Sequence, residues 1–166
     1  MPDEDSEGAN LIDVGARAPG FSLEDQDGQA RSLDAYRGKW VVLYFYPKDN
    51  TPGCTKEACG FRDRQSKFDE LGVVVLGVSP DDAATHAKFA AKHDLSFTLL
   101  ADPRKEALEA FGVWQEKNRF GRIYEGVSRT TYLIDPEGRV AHRWDKVKVP
   151  RHDRIVLETI QELKGE

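Results

Sequence analysis

Three short apolar runs set the terms on which this chain can fold. Trp40–Tyr46, Val73–Val78 and Phe97–Ala101 are rich in β-branched and aromatic residues and span only five to seven positions each. Runs of that kind form strands buried on both faces. Between them lie stretches with helical patterning, so the order reads strand, helix, strand, helix, strand. Such alternation predicts an α/β sheet with parallel strands. None of the runs approaches the roughly 18–20 apolar residues of a membrane span.

Local signals extend this frame. Asp27-Gly28 sits between Phe21–Leu23 and Ala30–Leu33, which predicts a hairpin. Pro47, Pro52 and Gly53 mark a loop, and a helix is expected from Cys54 to Leu71, with Ala58, Phe61, Phe68 and Leu71 facing the core and Gly72 ending it. Ser79-Pro80-Asp81-Asp82 reads as a helix start capped by the serine, the helix running to about His93. A short helix is expected over Arg104–Phe111 and an ordered loop over Trp114–Gly126. A second hairpin pairs Arg129–Ile134 with Arg139–Trp144 around Asp135–Gly138, so the sheet should be mixed. The last helix, from about Arg151, should bury Ile155, Val156, Ile160 and Leu163. Residues 1–13 carry five acids and no periodicity and read as a flexible acidic leader, leaving 14–166 as a single domain.

Size and charge narrow the function. A chain of 166 residues buries roughly 68–70% of its unfolded surface and needs neither metal nor disulfide to hold a core. The net charge of −5 argues against nucleic acid as main partner, although Lys117 to Arg154 holds ten basic residues against five acidic ones. Two cysteines exclude a disulfide-stapled secreted scaffold and a four-cysteine zinc site. The acidic N-terminus is unlike a signal or transit peptide, so a reducing cytoplasm is expected, with no membrane association. His86, His93, His142 and His152 show no metal-ligand spacing, and no phosphate-binding glycine loop is present, so no metal or cofactor is implied.

Reactive chemistry points to Cys54. It falls in the first turn of a predicted helix, directly after a buried strand and its loop. Unpaired backbone N–H groups and the positive end of the helix dipole meet there and favour a thiolate. A free cysteine with pKa near 8.5 is only about 3% ionised at pH 7, and helix N-termini with a nearby cation lower that value. The alternative is a buried cysteine acting as a small apolar residue. Cys59 lies five residues on. On an ideal helix the two Cα atoms would be about 8.7 Å apart, pointing about 140° away from each other, beyond the roughly 7 Å a disulfide tolerates. Any pairing would require the helix to unwind, and on spacing alone Cys59 is better read as a packing residue.

The segment from Tyr44 to Asp63, YFYPKDNTPGCTKEACGFRD, resembles the active-site segment of peroxiredoxins, closest to the Q-type or bacterioferritin comigratory protein group. Pro47, Thr51 and Cys54 meet the core pattern P-x-x-x-T-x-x-C, and the likeness runs from about Ala18 to Leu163, including Gly126-Val127-x-Arg129-x-Thr131-Tyr132. One departure is Gly60, where the pattern often carries an acid. The resemblance implies a thioredoxin-like α/β fold with a mixed central sheet, flanking helices and an N-terminal β-hairpin. It also implies a thiol peroxidase acting on hydrogen peroxide and organic hydroperoxides, recycled by thioredoxin or a thioredoxin-like reductant, and monomeric or weakly dimeric.

Carried over, the resemblance makes Cys54 the peroxidatic nucleophile, oxidised to a sulfenic acid, and Cys59 the resolving cysteine of an intramolecular disulfide. Thr51 would hydrogen-bond thiolate and peroxide, Pro47 would shield the pocket, Arg129 would sit against the sulfur, and Glu57 would orient Arg129. Without the motif, Thr51 reads as a helix cap and Arg129 as a surface charge. Two other functions compete. A thioredoxin-type dithiol oxidoreductase lacks its C-x-x-C, and a peroxide sensor or redox-switched holdase would use the same cysteine without turnover.

Overall fold

A computed structural model describes residues 10–165. Its sheet has seven strands and a parallel centre: β3 (Trp40–Phe45) pairs with β4 (Val73–Ser79), and β4 with β5 (Thr98–Ala101). Antiparallel pairing flanks that centre. On one side lie β1 (Ser22–Asp25) and β2 (Ala30–Ser32), the N-terminal hairpin, with β1 against β5. On the other side β8 (Thr130–Ile134) pairs with β3 and turns into β9 (Val140–Trp144). The order across the sheet is therefore β2-β1-β5-β4-β3-β8-β9.

Alternation along β3 builds two cores. Val42, Tyr44 and Tyr46 face one layer, with Phe61, Phe68, Phe89, Val156 and Ile160. Val41, Leu43 and Phe45 face the other, with Leu108, Phe111, Tyr132 and Val140. The first layer is closed by α1 (Pro52–Asp63), α2 (Gln65–Glu70), α3 (Ala83–His93) and α5 (His152–Lys164), and the second by α4 (Glu106–Ala110). This is the thioredoxin-like arrangement expected, with its mixed sheet and N-terminal hairpin.

Several local expectations need correction. The single helix over Cys54–Leu71 is two, divided at Arg64 (φ −106°, ψ 10°), and the first begins at Pro52. The cap of α3 is Asp82, whose carboxylate accepts from the Thr85 N–H, while Ser79 is the last residue of β4. Trp114–Gly126 is no loop: β6 (Trp114–Arg119) and β7 (Arg122–Val127) form an antiparallel hairpin. Along α5 the buried residues are His152, Val156, Leu157 and Ile160, while Ile155 and Leu163 are exposed. Leu71 is only partly buried against its core.

The acidic leader expected over residues 1–13 lies outside the described residues as far as residue 9. Asn10 to Asp13 are tied to the domain. The Ile12 N–H donates to the Tyr132 hydroxyl at 3.0 Å, Arg143 Nη1 donates to the Ile12 carbonyl at 2.8 Å, and Leu11 and Ile12 pack on the second core. No helix among the described residues is long and apolar enough to cross a membrane.

Candidate active site

Strand β3 ends at Phe45, and the chain must leave the sheet, turn and start α1 within a few residues. Asn50 takes a left-handed conformation (φ 69°) to make that turn. Thr51 follows as an extended cap residue and Pro52 as the first helical residue, where its missing N–H is no loss. Cys54 thus stands in the first turn of α1, almost fully buried. The N–H groups of this turn have no intrahelical partner, and the positive end of the helix dipole lies beside the sulfur.

Arg129 comes from the short link between β7 and β8, 75 residues away in the chain. Its guanidinium is a fork. Nη2 donates to Cys54 Sγ at 3.2 Å and Nη1 donates to Glu57 Oε1 at 2.5 Å. Glu57 is one turn along α1 from Cys54, its side chain 1% exposed. Its Oε2 has no partner among the described residues. Burial pushes the Glu57 carboxyl up to about 7, against the opposing pull of the Arg129 guanidinium. The guanidinium itself stays charged, because the carboxylate and sulfur beside it outweigh its own burial. Gly53 matters to this packing, since a Cβ there would lie 3.4 Å from Arg129 Nη2.

The other expected residues are placed as follows. Thr51 directs its hydroxyl proton to the Lys48 carbonyl at 2.9 Å, so in this state it does not donate to the sulfur. Its lone pairs remain able to accept from a peroxide O–H. Pro47 is partly buried in the loop just after β3. Cys59 is half-buried further along α1, and both cysteines are free thiols. Cys54, Arg129 and Glu57 are therefore joined directly, and Pro47, Thr51 and Cys59 sit on the loop and helix around them.

Sequence reasoning missed a buried polar group beneath this loop. Asp49, Asp81 and His86 cluster there with Tyr46, and His152 lies buried at the start of α5, with Nε2 2.9 Å from Thr131 Oγ1. A histidine inside a helix start or an apolar stripe carries no periodic signal, which is why neither was visible. Chemically, the site offers a buried sulfur at a helix start beside a charged two-pronged donor. That arrangement suits a thiolate nucleophile and a transition state with negative charge on oxygen.

The AhpC/TSA family matches over residues 14–143. Peroxiredoxin Bcp of Bacillus subtilis is 49% identical over 152 residues, covering 92% of this chain and 97% of its own. A putative peroxiredoxin bcp of Coxiella burnetii is 54% identical over 141 residues, covering 85% and 93%. Among solved structures, the bacterioferritin comigratory protein of Xanthomonas campestris, studied for alkyl peroxide reduction, superposes with a TM-score of 0.85 at 38% identity. It covers 90% of this chain and 98% of that one. A cysteine-to-serine mutant of Xylella fastidiosa PrxQ gives 0.87 at 34% identity, covering 92% and 98%.

Proposed function

Since the chain belongs to the AhpC/TSA family and is a peroxiredoxin, a thiol peroxidase, we propose that it reduces hydrogen peroxide and organic hydroperoxides through Cys54 and Cys59. The observation that carries this reading is the Arg129 fork, which puts a charged donor 3.2 Å from a sulfur at a helix start.

The Cys54 thiolate attacks the terminal oxygen of the hydroperoxide. An S–O bond forms, the O–O bond breaks, and the alkoxide leaves and takes a proton from solvent. Sulfur is oxidised to a sulfenic acid and the peroxide is reduced to alcohol or water. A thiolate alone does not make this fast, because nucleophilicity falls with basicity. Fixed donors must hold the oxygens in line and meet the developing charge. Arg129 Nη2 and the first-turn N–H groups of α1 supply the donors, and the Thr51 hydroxyl, its proton held by the Lys48 carbonyl, accepts from the peroxide O–H.

The Cys59 sulfur then attacks the sulfenic sulfur, releasing water and forming the Cys54–Cys59 disulfide. A dithiol of thioredoxin type restores both thiols by exchange, so the cycle belongs in a reducing compartment such as the cytoplasm. Cys54→Ser is expected to abolish turnover in a thioredoxin-coupled peroxidase assay, because a hydroxyl with no base beside it is a poor nucleophile. Substantial residual turnover would remove Cys54 from the reaction.

A further inference from the structure

The loop carrying Pro47 and Thr51 is fastened from beneath by buried polar groups that the cycle above leaves unused. Asp49 is at their centre, its side chain fully enclosed, as is that of His86 in α3. Asp49 Oδ1 accepts from the Tyr46 hydroxyl at 2.6 Å, and Oδ2 lies 2.5 Å from His86 Nδ1. The Asp49 N–H donates to Asp81 Oδ2 at 2.8 Å, and the Ser79 hydroxyl donates to the same oxygen at 2.7 Å. His86 Nε2 lies 3.0 Å from the Leu100 carbonyl on β5. A carbonyl oxygen only accepts, so Nε2 carries hydrogen, and one further proton is shared between Nδ1 and Oδ2.

Asp49, Asp81 and His86 bring their ligand atoms within 4.8 Å of one another, a span a cation could bridge. The hydrogen bonds speak against that use. Asp49 Oδ1 accepts from Tyr46, Asp81 Oδ2 accepts from the Asp49 N–H and the Ser79 hydroxyl, and both His86 ring nitrogens are engaged, so the imidazole has no lone pair to give a cation. The cluster is instead a satisfied polar network, which rigidifies the elements it joins. Those elements are the loop after β3, the end of β4, α3 and β5.

Its place in the chain gives it a use. Asn50, with its left-handed backbone, is all that separates Asp49 from Thr51. Asparagine tolerates that conformation better than most residues, so the turn at Asn50 joins Thr51 closely to the fastened Asp49. Downstream, α1 must unwind before Cys59 can reach Cys54, since about 8.7 Å separates their Cα atoms on an ideal helix. Unwinding that spread back past Cys54 would carry Thr51 and Pro47 away with it.

We propose that Asp49 and His86 are positioning residues for peroxide reduction: their buried pair clamps the Pro47–Thr51 loop to the sheet and to α3, and confines unwinding to α1. The proposal rests on the reading of Cys54 as nucleophile and of Cys59 as its resolving partner. Thr51 therefore meets each new peroxide from the same place, whichever state α1 has just left.

Asp49→Ala and Asp49→Asn separate position from charge. Alanine strips both side-chain bonds from Tyr46 and His86. Asparagine can restore them: its oxygen accepts from Tyr46, and its amide donates to Nδ1 of a neutral His86 whose Nε2 hydrogen still serves Leu100. In stopped-flow oxidation of folded protein by hydrogen peroxide, Asp49→Ala should slow the attack by about 10–100-fold, the cost of a misplaced group. Asp49→Asn should recover most of that loss. An attack rate in folded Asp49→Ala equal to wild type, or an Asp49→Asn as slow as the alanine variant, would overturn the clamp.

Should Asp49→Ala not fold, amide hydrogen exchange on the wild type decides. The Asp49 amide should stay protected in both the reduced and the disulfide form, while amides of α1 lose protection in the disulfide form. Loss of protection at Asp49 together with α1 would sink the proposal. Failure of the underlying cycle looks different: peroxide then leaves no two-hydrogen mass loss on the Cys54–Cys59 peptide, or Cys54→Ser keeps its turnover.

Discussion

A guanidinium offers two forward nitrogens in one plane, and at Arg129 each faces a different partner, Glu57 on one side and Cys54 on the other. A lysine ammonium at the same position keeps the charge, but its three donors radiate from one nitrogen and do not reproduce the planar spacing of the fork. Arg129→Lys is therefore expected to slow peroxide attack by about 10²-fold, the typical loss of one donor aimed at a transition state. The measurement is stopped-flow oxidation at a pH high enough to ionise the thiol fully, so that thiolate supply does not enter. An unchanged rate there would reduce Arg129 to a bare charge. Cys54 was legible from its place after a buried strand and a Pro-Gly loop. Arg129 was legible only through the family pattern, because 75 residues separate it from the sulfur. Asp49 and His86 were not legible at all, since their pairing spans 37 residues with no motif between them.

At the scale of elements, the proposed cycle requires α1 to move, and the structure shows what holds its far end. A Cβ on Gly60 would meet Asp153 Cγ at 3.0 Å and Oδ1 at 3.1 Å. The same Asp153, at the start of α5, accepts from Arg64 Nε at 2.6 Å, at the break between α1 and α2. Gly60 thus lets the start of α5 approach α1 closely. Gly60→Ala gains about 1 kcal/mol of helix propensity but pushes against Asp153, so its net effect alone is mixed. Asp153→Ala removes the two nearest atoms, leaving a Cβ 3.2 Å from the added methyl that a shift of a few tenths of an ångström relieves, and it removes a partly exposed ion pair of about 0.2–1 kcal/mol. It should speed disulfide formation by up to about fivefold. Adding Gly60→Ala to that background should then slow it, and mass spectrometry after graded peroxide should show more sulfinic acid on Cys54. No change in resolution rate in either variant would separate α1 opening from α5. The buried parallel strands were plain in the sequence because apolar runs bounded by turns leave few alternatives. The β6–β7 hairpin was not, since most of its residues are solvent-exposed and neither face imposes alternation. Its turn places Phe120 and Gly121 both at positive φ without the usual Asn-Gly signal. In α5 the buried stripe begins at His152, a residue that hydrophobic patterning does not count.

For the molecule as a whole, two buried groups, one in the site and one at the start of α5, pull the pH dependence of stability in opposite directions. Burial holds the Glu57 carboxyl up at about 7, from an ordinary 4.5. Between those values the native state keeps a proton that the unfolded chain has released, so this group makes stability fall as pH rises. Burial holds the His152 imidazole down at about 4, from an ordinary 6.5, with Asp153 pulling it back up and Arg129 adding to the fall. Between those values the unfolded chain binds a proton that the native state refuses, so stability is lost as pH falls. Across the shared window, about pH 4.5 to 6.5, the two effects largely cancel and neither shows in the wild type alone. His152→Gln removes one of them. Its loss of ring packing against Phe61 and Trp144 gives an offset that does not depend on pH. Carboxylates elsewhere titrate alike in both proteins and drop out of the difference. Relative to wild type, the variant should therefore gain about 3 kcal/mol as pH falls from 6.5 to 4, read from denaturant midpoints at each pH. A difference that stays flat over that range would mean that His152 takes up its proton in the native state, and that the start of α5 admits water the packed structure excludes.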